Sequence, residues 1–211
     1  MIKNLLKKTF LRKVWHWYQA KKNKIIHNYK VPHYDEKRAI LLSYKNKYNL
    51  NTFIESGTFL GGTIDSLKNN FGKLYSIELS NELARKAMER FKAVPNVTIV
   101  QGDSGTVIRQ LLDTISDPCL FWLDGHYSSE FFVGSDYIVT ARGDKETPIL
   151  EELKGILLHP VKTHVILIDD ARCFTGKNDY PTIDEVATFV KQYNPNLTVS
   201  QKRDIIRIVP N

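Results

Sequence analysis

The amino-acid sequence predicts a doubly wound α/β protein whose sheet is mostly parallel, with helices on both faces and a C-terminal antiparallel hairpin. Three observations carry this. From residue 52 onward, short apolar runs of strand length alternate with helix-length amphipathic segments, the pattern of consecutive β–α–β units. The runs "CLFWLD" and "HVILIDD" are apolar without alternation, as strands buried on both faces are. The last segment, "LTVSQKRDIIRIVP", reads as a closing hairpin.

Each element has its own signal. Residues 1–50 form a basic N-terminal helical arm, in which Leu5, Leu6, Phe10, Val14 and Trp15 recur near helical spacing. A second helical segment covers about 36–48. The domain proper, 51–211, begins with the strand "TFIES" (52–56), and the helix "LGGTIDSLKNNFG" follows, closed by Gly72. "KLYSIEL" (73–79) is a strand, and Ser80 is placed to cap the next helix. "NVTIVQG" (96–102) is a third strand, and Asp103 stands where a cap for "SGTVIRQLL" belongs. "PCLFWLD" is the fourth. A connection from about 125 to 146 is too long for a routine turn between strand and helix. The helix "TPILEELKGILLH" has Pro148 at its first turn. "THVILIDD" (163–170) is the fifth strand, and "TIDEVATFVKQY" opens with a Thr182–Glu185 capping-box pattern.

Composition narrows the function classes. With 42% hydrophobic and 25% charged residues among 211, the chain has enough apolar content for a core. No apolar run approaches the roughly eighteen residues of a membrane span. The N-terminus lacks the features of a secretory signal. Cys119 and Cys173 fit no metal spacing, and the expected setting is reducing and cytoplasmic. Nine of the Lys and Arg residues fall within 1–30, where there is no acid; the remainder holds 21 bases against 23 acids. Basicity is therefore a property of the arm. It argues against a nucleic-acid groove across the body, and it leaves an arm suited to an anionic membrane surface, to a partner, or simply to solvent.

The chemistry-bearing residues cluster at strand ends. In "FIESGTFLGGT", Glu55 ends strand one, and Gly57, Gly61 and Gly62 precede a helix. Glycines there permit a tight turn and a close approach of backbone to a ligand. The spacing is neither G-x-G-x-x-G nor a Walker A. Glu78 ends strand two, 23 residues after Glu55, a separation suited to an acid that accepts from a ribose diol. Asp103 and Ser104 follow strand three, and Asp124 follows strand four. His126, two residues beyond, is a candidate general base or an ordinary loop histidine. Tyr127, Phe131, Phe132 and Tyr137 in the long connection wall an acceptor pocket or pack beneath a loop.

This order resembles the class I S-adenosylmethionine-dependent methyltransferases, with their Rossmann-like sheet. The stretch Glu55-Ser56-Gly57-Thr58 with Gly61, Gly62 and Thr63 stands for their glycine-rich motif, and Glu78 for the ribose-binding acid. Asp103 and Ser104 stand for the adenine-side motif, and Asp124 for the fourth motif. The likeness covers about residues 52–170. Thr58 and Phe59 depart from it, where many members keep glycine or a small residue. The resemblance also places strands four and five side by side, so that Asp124 meets Asp169 and Asp170. Three converging carboxylates would repel one another, and a hard cation such as Mg²⁺ between them would relieve that repulsion. In this the chain is similar to the metal-dependent O-methyltransferases of the macrocin (TylF) and catechol type. The alternative for Asp169 or Asp170 is a turn cap or a pair with Arg172. The resemblance thus implies methyl transfer from S-adenosylmethionine to a hydroxyl of a sugar or other polyhydroxylated small molecule or glycan, with Asp124 and His126 at the reacting end. An NAD-dependent oxidoreductase on a similar sheet, and a non-catalytic anion-binding or anchoring module of the same fold, stay open beside it.

Overall fold

The computed structural model describes residues 31–125, 143 and 145–211, together with the backbone of two strands at 130–133 and 136–139. In chain order the helices are α1 (Tyr34–Lys47), α2 (Gly62–Leu67), α3 (Asn81–Phe91), α4 (Ser104–Leu112), α5 (Ile149–Leu158) and α6 (Ile183–Tyr193). The strands are β1 (Thr52–Ser56), β2 (Lys73–Glu78), β3 (Val97–Gln101), β4 (Cys119–Leu123), β5 (Glu130–Val133), β6 (Asp136–Val139), β7 (Val165–Ile168), β8 (Leu197–Lys202) and β9 (Ile205–Pro210). Seven strands make one sheet in the order β3-β2-β1-β4-β7-β9-β8, while β5 and β6 pair as a separate antiparallel ribbon inside the long connection. Strands β3, β2, β1, β4 and β7 run parallel; β9 is antiparallel to β7 and to β8. The doubly wound sheet and the closing hairpin are thus as the sequence predicts.

Strand periodicity explains the two layers. Alternate side chains leave opposite faces of a strand, so Phe53 and Ile54 enter different cores. On one face Ile54, Phe121 and Ile166 pack with Ile108 of α4, Leu153 of α5 and Val186 of α6. On the other, Phe53, Leu120, Trp122 and Leu167 pack with Leu41 of α1, Ile64 of α2 and Phe91 of α3. With both faces covered, β1 and β4 are buried at every position, which is why "CLFWL" shows no polar alternation. Helix α1, drawn from the region expected as an arm, places Leu41 in the same core as the strands. Residues 1–30 lie outside the described residues.

Local signals hold at several helix starts. The Ser80 side chain accepts from the Leu83 N–H, Asp103 accepts from Gly105, and Thr182 and Glu185 form a reciprocal capping box. Among the described residues no helix is long and apolar enough to cross a membrane.

The chain runs outward from β1 to β2 to β3, then returns to place β4 on the other side of β1. The carboxyl ends of β1 and β4 therefore flank the point where the winding reverses, which is where open α/β sheets form a ligand crevice.

Candidate active site

The glycine loop leaves β1 at Ser56 and enters α2 at Gly62. Gly57 has φ of +87°, and a Cβ there would lie 2.5 Å from the Asp124 carbonyl oxygen. Both the backbone angle and the close passage of the β4 end thus require glycine. Gly61 caps α2 in the left-handed region, with φ of +74°. Gly62 meets a lesser constraint, since a Cβ there would only touch the Tyr34 hydroxyl at 3.5 Å. Phe59 itself takes a positive φ of 50°, so the departure from a small residue carries some backbone strain.

Beneath this loop lies a buried polar network. Glu55 accepts a hydrogen bond from Ser76 Oγ at 2.7 Å, and Ser76 Oγ is 2.7 Å from Thr58 Oγ1. Burial pushes the Glu55 carboxyl up to about 8, against the hydrogen bonds of Ser76 and Thr63. Glu55 is therefore a neutral acid at pH 7 that supports the loop from inside. Glu78 is also buried, but its two oxygens accept backbone N–H bonds, from Phe59 at 2.8 Å and from Ser80 at 2.9 Å. It ties the glycine loop to the end of β2. Each carboxylate oxygen keeps a further lone pair for a ligand hydroxyl.

A second polar patch lies where β1, β3 and β4 end. A Cβ on Gly125 would come 3.0 Å from Ser56 Oγ and 3.2 Å from Ser104 Oγ, so three strand ends converge on one spot. The Glu152 carboxyl of α5 lies beside Ser104 and Ser56, and burial raises it to about 7. Ser104 and Ser56 lie near enough to the Glu152 carboxyl to oppose the rise that burial causes, yet Glu152 Oε1 and Ser56 Oγ reach no full hydrogen-bond geometry among the described residues, and a polar ligand or water in the crevice would complete it. Asp103 is exposed and caps α4 through Gly105 at 2.8 Å. Sequence reasoning missed Glu152, because a carboxylate inside "ILEELKGILL" looks like a helix surface residue.

The expectation that Asp124, Asp169 and Asp170 meet without basic partners does not hold. Lys37 Nζ donates to Asp169 Oδ2, and Arg172 Nη1 donates to Asp170 Oδ1 at 2.6 Å and to the buried Asp204. The other Asp169 oxygen accepts the Asp170 N–H at 2.9 Å. Asp170 itself has φ of 55° and opens a short 3₁₀ turn, Ala171–Cys173. The Asp169 carboxyl is pushed up by burial, with Asp124 and Asp170 adding to the rise and Lys37 opposing it. The residues therefore do not fit the expected Mg²⁺ site: cationic side chains already engage both Asp169 and Asp170. Among the described residues no group of three or more His, Cys, Asp or Glu is arranged to hold a metal. Lys37 was missed because it lies 132 positions from Asp169 in sequence. Tyr180 was missed as well; it lies within electrostatic reach of Asp124 and Asp170 and stacks edge-on against Phe174. His126 and the aromatic side chains of the long connection lie outside the described residues.

No protein-family model matches the sequence, and no curated protein matches it. Solved structures do match in fold. An O-methyltransferase from Bacillus cereus, in complex with S-adenosylhomocysteine, is 12% identical with a TM-score of 0.59, over 90% of this chain and 88% of that one. The O-methyltransferase TomG from Streptomyces achromogenes, in complex with S-adenosylmethionine, is 15% identical with a TM-score of 0.55, over 92% and 89%. A putative caffeoyl-CoA O-methyltransferase from Staphylococcus aureus is 12% identical with a TM-score of 0.53, over 97% and 99%. The fold is that of these methyltransferases.

Proposed function

We propose that the protein is an S-adenosylmethionine-dependent methyltransferase that methylates a hydroxyl of a sugar or another polyhydroxylated small molecule or glycan. One observation carries this reading. The ends of β1, β2, β3 and β4 bring a glycine loop, a buried Glu78 and the Asp103–Ser104 pair to a single crevice at the winding reversal. Buried Ser56 and Glu152, short of full hydrogen-bond geometry among the described residues, add polar capacity to that crevice. The neighbours of known cofactor state, at low identity, lend the same support.

When bound, S-adenosylmethionine supplies an electrophilic methyl group on a sulfonium, so the protein's share is alignment and proton removal. Gly57 lets the β4 end pass close to the loop. Glu78 accepts from ribose hydroxyls, and Asp103 with Ser104 contacts the adenine. Asp124 lies on the acceptor side, where it or His126 takes the hydroxyl proton. Mg²⁺ has no step in this scheme. The test is calorimetric titration of the full chain with S-adenosylmethionine and S-adenosylhomocysteine. Saturable binding of one molecule per chain is expected, and a flat titration with both would overturn the reading.

A further inference from the structure

Helix α1 precedes the strand–helix alternation, yet it clamps the crevice on two sides. Tyr34 donates its hydroxyl to the Gly62 carbonyl, and Arg38 Nε donates to the Ser66 carbonyl at 3.1 Å. These contacts fix α1 along α2, from its first residue to its last turn. One turn along the same helix face, Lys37 reaches the opposite rim. Its ammonium contacts Asp169, whose side chain is 2% exposed, while the lysine side chain keeps 24% exposure. Nζ also lies 5.8 Å from the centroid of the Trp122 ring, a favourable distance for a cation over an aromatic face. Asp124 and Asp170 act on the same ammonium electrostatically. The Lys37 ammonium is thus paired with Asp169 and lies within electrostatic reach of Asp124 and Asp170, the three carboxylates that the sequence predicts as metal ligands.

A divalent ion joining this cluster would compete with the ammonium at Asp169 Oδ2, and at Asp169 Oδ1 it would share an oxygen that already accepts a backbone N–H. It would also have to approach Asp170, which Arg172 already holds. Repulsion from two neighbouring cations opposes that entry. The stem of Lys37 is held by the packing of α1, whose Leu41 is buried one turn further on, so the ammonium is not a passing visitor.

We infer that Lys37 is the resident cation of the strand-end carboxylates, a positioning residue that balances Asp124, Asp169 and Asp170 so that the site holds no divalent metal. This deepens the proposed methyltransferase reading by removing metal from the acceptor side, and it rests on that reading only for what the site is used for. The aspartates then serve to place the ammonium and the acceptor, and activity of the full chain would not depend on added Mg²⁺.

The test uses the full chain after stripping with EDTA and dialysis. Mn²⁺ titration followed by electron paramagnetic resonance, and thermal unfolding with and without Mg²⁺, are compared for the wild type, Lys37→Met and Lys37→Arg. For the wild type we expect no saturable Mn²⁺ site and no change in Tm with EDTA or Mg²⁺. Lys37→Met, which exposes buried carboxylates to one another, should lower Tm by about 5–10 °C; Mg²⁺ or Mn²⁺ should recover part of the loss. Lys37→Arg, which keeps the charge, should recover most of it without metal. One saturable Mn²⁺ per wild-type chain would overturn the inference. So would a Lys37→Met protein with wild-type Tm. If Lys37→Met does not fold, the wild-type Mn²⁺ titration decides alone. S-adenosylhomocysteine binding is measured in parallel. Its absence would count against the methyltransferase reading while leaving the lysine assignment to the metal titration.

Discussion

Replacing Glu55 by Gln isolates the buried acid beneath the glycine loop. Burial raises this carboxyl from its ordinary 4.5 to about 8, so the folded protein holds a proton that the unfolded chain releases. The sign follows from linkage. The protonated carboxyl contributes its full stability below the unfolded value, loses it progressively as pH rises, and contributes nothing above the folded value. The span from 4.5 to about 8 corresponds to roughly 5 kcal/mol as a ceiling, and water penetration at high pH reduces it. Glutamine has the shape of the protonated acid and still accepts from Ser76, but it cannot ionise. Near pH 5 the variant should lie within about 1 kcal/mol of the wild type. By about pH 9 it should be the more stable by about 3–5 kcal/mol. Glu152, raised to about 7, adds a slope of the same sign to both proteins and cancels in the difference. Urea unfolding followed by circular dichroism across this pH range gives the comparison. Parallel stability curves would mean that Glu55 titrates alike in folded and unfolded chains, and the neutral-acid account would be wrong.

Other outcomes follow from named contacts. Gly57→Ala should lose about 2–4 kcal/mol of stability in denaturant titration, because φ of +87° and a Cβ 2.5 Å from the Asp124 carbonyl both oppose a side chain. Gly62→Ala, with only a 3.5 Å contact to Tyr34, should stay within about 1 kcal/mol; equal losses in the two would refute the distinction. Glu78→Ala should weaken S-adenosylmethionine binding by about 1.5–3 kcal/mol in calorimetry, the range for a hydrogen bond to a charged group, and unchanged affinity would remove it from the cofactor site. For residues 1–30 we propose a peripheral contact with anionic lipid. The full chain should co-sediment with phosphatidylserine vesicles and lose that on combined Lys7→Glu, Lys8→Glu and Lys13→Glu substitution; equal pelleting of both proteins would end the proposal.

Most of the fold was legible because its signals are local or periodic. Continuous apolar runs marked β4 and β7, and Ser80 and Thr182 marked helix starts through contacts only three residues away. The acids at the strand ends were legible by type and position. Their surroundings were not. Glu55 and Glu78 look alike in sequence, yet one is held neutral over Ser76 while the other accepts two backbone N–H bonds. That difference depends on how β2 lies beside β1 in space. The same limit produced the Mg²⁺ expectation. The nearby chain around Asp169 shows only Arg172 as a basic neighbour, and Lys37 reaches the cluster from a helix that precedes the first strand.

The strand-end acids illustrate a general constraint: each buried carboxyl needs compensation, and the kind of compensation decides what the group can do. Glu55 is compensated by a proton, which leaves it a structural prop. Glu78 is compensated by two backbone donors, which hold its side chain in one geometry. Asp103 sits at the start of α4, where its side chain accepts the Gly105 N–H, and it remains exposed. Asp169 and Asp170 are compensated by side-chain cations. Such a division leaves the acids after β7 engaged by cations, while those after β2 and β3 are engaged by backbone N–H groups. On the proposed methyltransferase reading, chemistry at the acceptor falls to the end of β4, where Asp124 follows the buried run "CLFWL". The greasy strand is buried along "CLFWL" and reaches Asp124 where the end of β4 passes close to the glycine loop.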